Sequence, residues 1–182
     1  MNPLSRYQEA RLASSATNFA LSLLCLALFW LAFFGCIPYL LLKAEATFNL
    51  VGGRFVLPAW LGGAFLAVGG LLAVVAAASL AKAGKGTPWY GACPRRLTTT
   101  GPYRFVRNPL ILGLVIQGVG VGLLFGSPWV ALYGLVGGPY WHLVLRPREE
   151  SDLEVRFRGE YRLYKQAVSC WLPRASPYRA RG

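Results

Sequence analysis

Long uninterrupted apolar runs, separated by short clusters of charge, set the pattern of this chain. The first run, Thr17 to Leu42, carries no charge before Lys43 and is long enough to cross a bilayer with some tilt, although Pro38 lies near its far end. A second extends from Leu57 to Ala81. Two shorter runs, Pro109 to Phe125 and Pro128 to Leu145, are separated by little more than Gly126 and Ser127, and predict a tight helical hairpin. Beyond them the period changes: Leu153, Phe157, Tyr161, Tyr164 and Val168 fall on one helical face, with Arg156, Arg158, Arg162 and Lys165 largely elsewhere. That segment is expected to lie against the membrane or against a neighbouring loop. The pattern predicts an all-α polytopic membrane bundle of about four transmembrane helices, followed by a C-terminal interfacial amphipathic helix.

Composition agrees with this picture, since 55% of residues are apolar and only 14% are charged. The first run is too long in its apolar part for a cleaved leader, and no small-x-small site follows it promptly. The basic residues are unevenly distributed. Arg6 and Arg11 precede the first span, six more fall between Lys82 and Arg107, and nine lie from Arg146 onward, whereas only Lys43 and Arg54 lie on the other side. The positive-inside rule therefore places both termini and the 82–108 loop in the cytoplasm. A net charge of +12 raises the possibility of nucleic-acid binding, but these cations border membrane spans, where anionic headgroups account for them more simply. Cys25, Cys36, Cys93 and Cys170 lack metal-ligand spacing, and His142 is the only histidine, so no metal is expected.

The two halves differ in character. Residues 1–81 form a two-span membrane half whose glycine pairs, Gly62/Gly63 and Gly69/Gly70, provide small surfaces for helix packing. Residues 82–182 hold the loop, the hairpin, the C-terminal helix and all the candidate chemistry. Gly84, Gly86, Pro88, Gly91 and Pro94 break regular structure before Arg96, Leu97 and Thr98. Tyr103, Arg104 and Arg107 then precede Asn108-Pro109, in which Pro109 suits a first helical turn and Asn108 can cap it. A helix start beneath such a loop leaves backbone donors for a carboxylate or phosphate. Gly118, Gly122 and Gly126 repeat every fourth residue, which lets backbones, or a flat ligand, come close. Pro139 is expected to disturb the fourth span, placing His142 one turn before Arg146, where it is either an interfacial residue or a catalyst. Arg146 and Glu150 are spaced as an i,i+4 ion pair.

The stretch RLTTTGPYRFVRNPLILG, followed by REESDLEVRFRGEYRLYKQAVSCWLPR, resembles the isoprenylcysteine carboxyl methyltransferase and phospholipid methyltransferase group of integral membrane enzymes over roughly residues 84–174. The resemblance implies methyl transfer from S-adenosylmethionine, bound near the cytoplasmic face, to a lipophilic acceptor entering from the membrane. Carried over by position, the cofactor contacts are Arg96, Leu97, Thr98 and Tyr103, then Arg107, Asn108, Pro109, Leu110, Ile111 and Gly113, with Glu149, Glu150 and Tyr161 from the C-terminal part. Asn108 stands where the family motif has histidine and Ile111 where it has tyrosine; asparagine retains hydrogen-bonding capacity and isoleucine does not. For the chemistry itself, Arg146 would hold a carboxylate acceptor, while Glu150 or His142 would be the base for an amine. Glu150 is alternatively a ligand for the cofactor's amino group or ribose hydroxyls. A nicotinamide-dependent membrane reductase and a nonenzymatic membrane protein are the competing readings.

Overall fold

The computed structural model describes residues 14–49, 57–88 and 93–179, and throughout them the regular structure is helical. Arg6, Arg11, Arg54, Gly91 and Arg181 lie outside the described residues. Helix α1 spans Ser15–Phe48, α2 spans Ala59–Gly84, and α3 spans Pro109–Phe125. Helix α4, Pro128–Tyr140, continues through a π-helical turn, Trp141–Leu145, into α5, Arg146–Ala167. Two of these helices, α1 and α2, are long and apolar enough to cross a membrane; α3 is apolar but only 17 residues long.

Local sequence explains most of these boundaries. Ser14 begins α1 by accepting the Thr17 N–H on its side chain, and Ser127 does the same for Val130 at the start of α4. Gly126 ends α3 in the left-handed conformation, φ 63°, which glycine adopts without a side-chain clash. The expected break after Leu42 does not occur. A π-turn at Leu31–Cys36 precedes Pro38 and absorbs its missing N–H, so α1 runs on to Phe48 through what the sequence suggested was a loop. Pro139 likewise precedes the π-turn that leads into α5.

Helix α3 is the centre of the bundle, packed between α2 and α4. The approach to α2 is close enough that a Cβ on Gly69 would lie 2.5 Å from the Gly113 carbonyl oxygen, and one on Gly62 2.6 Å from the Leu124 amide. Gly118 faces Gly134 across the α3/α4 seam in the same manner. The glycine spacing therefore serves backbone-to-backbone packing. Helix α1 is joined to this core by the Trp30 indole N–H, which donates to Gln117 Oε1 at 3.0 Å and satisfies a buried amide on α3. At one end of the bundle Lys85 donates to Ser15 (3.3 Å); at the other, the Ser127 hydroxyl donates to Glu45. Successive helices thus run in alternating directions, and the start of α1, the end of α2, the start of α3 and the start of α5 share one end.

Candidate functional site

At that shared end the loop folds back over the helices. The Arg95 and Arg96 amides both donate to the Gly84 carbonyl (2.7 and 3.1 Å), which turns the chain directly after α2. Gly84 and Gly86 have no room for a Cβ against Thr98 and Pro94. A 3-10 turn, Gly101–Arg104, then buries Tyr103, whose carbonyl accepts the Tyr164 hydroxyl at 2.6 Å. The apolar face of α5 meets this loop: Tyr161, Tyr164 and Val168 pack with Leu97, Leu153, Phe157 and Tyr178. The chain after α5 returns along the loop, with the Arg107 amide donating to Ser169, Arg174 to Phe105 and Tyr178 to Arg104.

One carboxylate organises the charged residues. Glu150 receives Arg107 at 2.5 Å, Arg146 at 2.8 Å and Lys165 at 2.7 Å. Arg107 also donates to the Val168 carbonyl at 2.7 Å, and both arginines reach the Tyr161 hydroxyl at 3.4 Å. Burial alone would raise the Glu150 carboxyl; the Lys165 hydrogen bond and the Arg146 and Arg107 charges reverse that and hold it at about 2. Its neighbour behaves oppositely. Among the described residues the one cation paired with Glu149 is Arg146, at 3.8 Å, and burial pushes its carboxyl up to about 7, opposed by Arg146 and reinforced by Glu150 and Asp152.

Beneath this cluster lies a cavity of about 170 Å³. Its lining combines apolar side chains, Leu80, Leu110, Ile111 and Trp141 among them, with polar ones such as Arg96, Thr98 and Asn108. Of the residues singled out from sequence, Arg96, Leu97, Thr98, Tyr103, Arg107, Asn108, Leu110, Ile111, Arg146, Glu149 and Tyr161 border it. Four do not. Gly113 faces Gly69 and Ala73 in the α2/α3 seam, Pro109 is buried behind the wall, and Glu150 is turned into the arginine clamp. His142 is exposed and accepts the Trp171 indole N–H on Nδ1 at 3.0 Å, away from the cavity, so the suggestion that it serves as a base finds no geometric support. Asn108 precedes α3 but makes no capping bond; its Nδ2 is buried without a partner among the described residues, as is Thr98 Oγ1.

Several wall residues carried no sequence signal. Cys93, Asp152 and Arg156 come together there, with Arg156 bonded to Asp152 at 3.2 Å and to the Pro94 carbonyl. Burial raises the Cys93 thiol to about 11, against the lowering effect of Arg156, so it is a thiol at neutral pH. Asp152 and Arg156 do have i,i+4 spacing, a pattern too common to single them out.

An all-helical membrane protein, with an arginine–glutamate clamp over a cavity at one end of its bundle, is the class that this geometry defines. Within it the chain belongs to the phospholipid methyltransferase family, whose profile matches residues 57–159, and this makes it a methyltransferase. No curated protein matches the chain. The matched stretch ends before Tyr161 and Lys165, which complete the clamp.

Proposed function

We propose that the protein transfers a methyl group from S-adenosylmethionine to a lipophilic acceptor, a lipid amine or a prenylcysteine-type carboxylate, at the cytoplasmic face of the membrane. The observation that carries this reading is the pair of buried polar groups on the cavity wall, Thr98 Oγ1 and Asn108 Nδ2, which lack a partner among the described residues. Such groups are costly to bury unpaired, so they favour a ligand that hydrogen-bonds there. The walls suit this cofactor: Thr98, Asn108 and Arg96 offer hydrogen bonds, and Tyr103, Leu97 and Phe157 offer flat or apolar surface. When bound, S-adenosylmethionine supplies an electrophilic methyl on a sulfonium, so displacement depends on alignment and exclusion of water.

The clamp contributes to that alignment. Arg107 and Arg146 are fixed by Glu150, Tyr161 and the Val168 carbonyl, which leaves the cavity wall between them little freedom. Glu150 pairs with three cations, and on this reading its part is to hold Arg107 and Arg146 in place rather than to bind the cofactor as the resemblance implies. Four crossings, by α1, α2, α3 and the Pro128 to Leu145 segment, fit the alternating helix directions. The basic residues at the cavity end favour a cytoplasmic site and cytoplasmic termini. On this reading, residues 1–81 are the supporting half and residues 82–182 the catalytic half.

Isothermal titration of the purified protein with S-adenosylhomocysteine and with NADPH tests the cofactor. Micromolar binding of S-adenosylhomocysteine and none of NADPH is expected; the reverse makes the protein a reductase, and binding of neither removes the cavity as a cofactor site. Radiolabelled methyl transfer to a total lipid extract and to a prenylcysteine analogue then identifies the acceptor class.

A further inference from the structure

We infer that His142 is a positioning residue of this site: from outside the cavity its Nδ1 pins, through Trp171, a short strap of chain that braces both Arg107 and Arg146. This rests on the methyltransferase reading above, which supplies the ligand used to test it.

The strap is residues 168–171, which follow directly on α5. It braces Arg107 twice through its backbone. The Val168 carbonyl accepts from the Arg107 Nε at 2.7 Å, and the Ser169 carbonyl accepts from the Arg107 amide at 2.9 Å. Arg146 is braced through aromatic rings instead. Its guanidinium lies 5.6 Å from the centre of the Trp141 ring, and the Trp171 ring meets Trp141 edge to face at 6.2 Å. Arg107, Trp141 and Arg146 all border the cavity, so a displacement of the strap displaces its wall.

The near end of the strap is fixed by Val168, which is buried against Tyr161 and Tyr164. Further along, the Arg174 and Tyr178 amides hold the chain to the Phe105 and Arg104 carbonyls, which belong to the loop and not to the fourth span. Among the described residues, the hydrogen bond that ties the tail to the fourth span is the one from the Trp171 indole N–H to His142 Nδ1, at 3.0 Å. A ring nitrogen that accepts carries no hydrogen, so the proton of the neutral ring sits on Nε2. The exposed neighbours Leu143 and Val144 offer the indole no side-chain acceptor. The imidazole also makes an edge contact with the indole, with ring centroids 6.0 Å apart at 67°, which a phenyl ring keeps while lacking the nitrogen.

The test uses the purified full-length protein and three substitutions. His142→Phe keeps a ring and removes the acceptor; His142→Asn keeps an acceptor near the Nδ1 position and removes the ring; Trp171→Phe keeps a ring beside Trp141 and removes the donor. Affinity for S-adenosylhomocysteine is measured by calorimetry, and the opening of the strap by hydrogen exchange at the Arg107 amide, which needs no ligand. His142→Phe and Trp171→Phe should each weaken binding about 3- to 10-fold and speed exchange by a similar factor, the range that one net hydrogen bond supports. The double variant should be no worse than either single one, and His142→Asn should stay within about twofold of wild type. Tm should move by less than about 2 °C. Wild-type affinity and exchange in His142→Phe overturn the role of His142 and leave the methyltransferase reading standing. So do additive losses in the double variant, or an Asn variant as impaired as the Phe one, because the bond is then not what couples the two residues. A wild-type protein that binds no S-adenosylhomocysteine overturns the cofactor reading, and unchanged exchange at Arg107 in His142→Phe then overturns the role of His142 as well.

Discussion

Replacing Glu150 with glutamine removes the charge on which Arg107, Arg146 and Lys165 converge, while keeping the side chain's size. The difference between the ordinary carboxyl value of 4.5 and the folded value of about 2 corresponds to about 3 kcal/mol at 1.36 kcal/mol per tenfold change. That figure agrees with the lower end of what breaking a buried ion pair costs, since Arg146 is left buried with only the more distant Glu149, at 3.8 Å, beside it among the described residues. For a chain of this size, about 3 kcal/mol lowers Tm by about 6 to 12 °C. Thermal unfolding in detergent micelles, followed by tryptophan fluorescence at pH 7, measures it. The sign of the pH dependence is also fixed. Glu150 is lowered on folding, so its contribution is complete above pH 4.5 and is lost as pH falls toward about 2. The gap between wild type and Glu150→Gln should therefore be constant above pH 5 and shrink below 4.5. A variant within about 2 °C of wild type at pH 7, or a gap that does not narrow in acid, refutes the central role given to this carboxylate.

The adjacent glutamate should respond with the opposite sign. Glu149 is raised to about 7, so its ionisation carries a stability cost that is nil below pH 4.5 and complete above 7; Glu149→Gln should stabilise the protein by about 1 to 3 kcal/mol at pH 8, read as a higher Tm, and leave Tm unchanged at pH 4. A second pair of variants separates the two faces of α2. Gly69→Ala places a Cβ 2.5 Å from the Gly113 carbonyl and should cost about 1 to 3 kcal/mol, whereas Gly63→Ala meets nothing within 4 Å and should be neutral or stabilise by about 0.5 to 1 kcal/mol, both read as Tm in the same micelles.

Hydrophobic run length made the helices legible, because a bilayer-spanning segment needs little beyond apolar residues and satisfied backbone bonds. The Arg146–Glu150 pair was legible for a related reason: i,i+4 spacing is a property of one helix. What lay beyond reach depended on partners distant in sequence. Residues 149 and 150 are adjacent acids on the same turn, and only the arrival of Arg107 from the loop and Lys165 from the far end of α5 decides which one is neutralised and which one borders the cavity. Gln117 is similar. Its place in an apolar run gave no sign that Trp30 would reach across to it.

His142 shows how a local feature can mislead when its regular period fails. Four residues before Arg146, it would share the arginine's face on an ideal α-helix, and that spacing is what recommended it as a base. The segment between them is a π-turn, whose bonds span five residues instead of four. The extra residue in that turn brings Trp141, five positions before Arg146, under the guanidinium at 5.6 Å, and rotates His142 outward to the Trp171 indole. Pro139, just upstream, lacks the N–H that an unbroken α-helical ladder would use, so a break in register there follows from the sequence. Its direction does not. Whether the freed turn tightens or widens depends on what packs against it, and here Trp171 from the returning tail meets Trp141 edge to face at 6.2 Å. The residue on the cavity wall is accordingly an aromatic one, and His142 faces away from it.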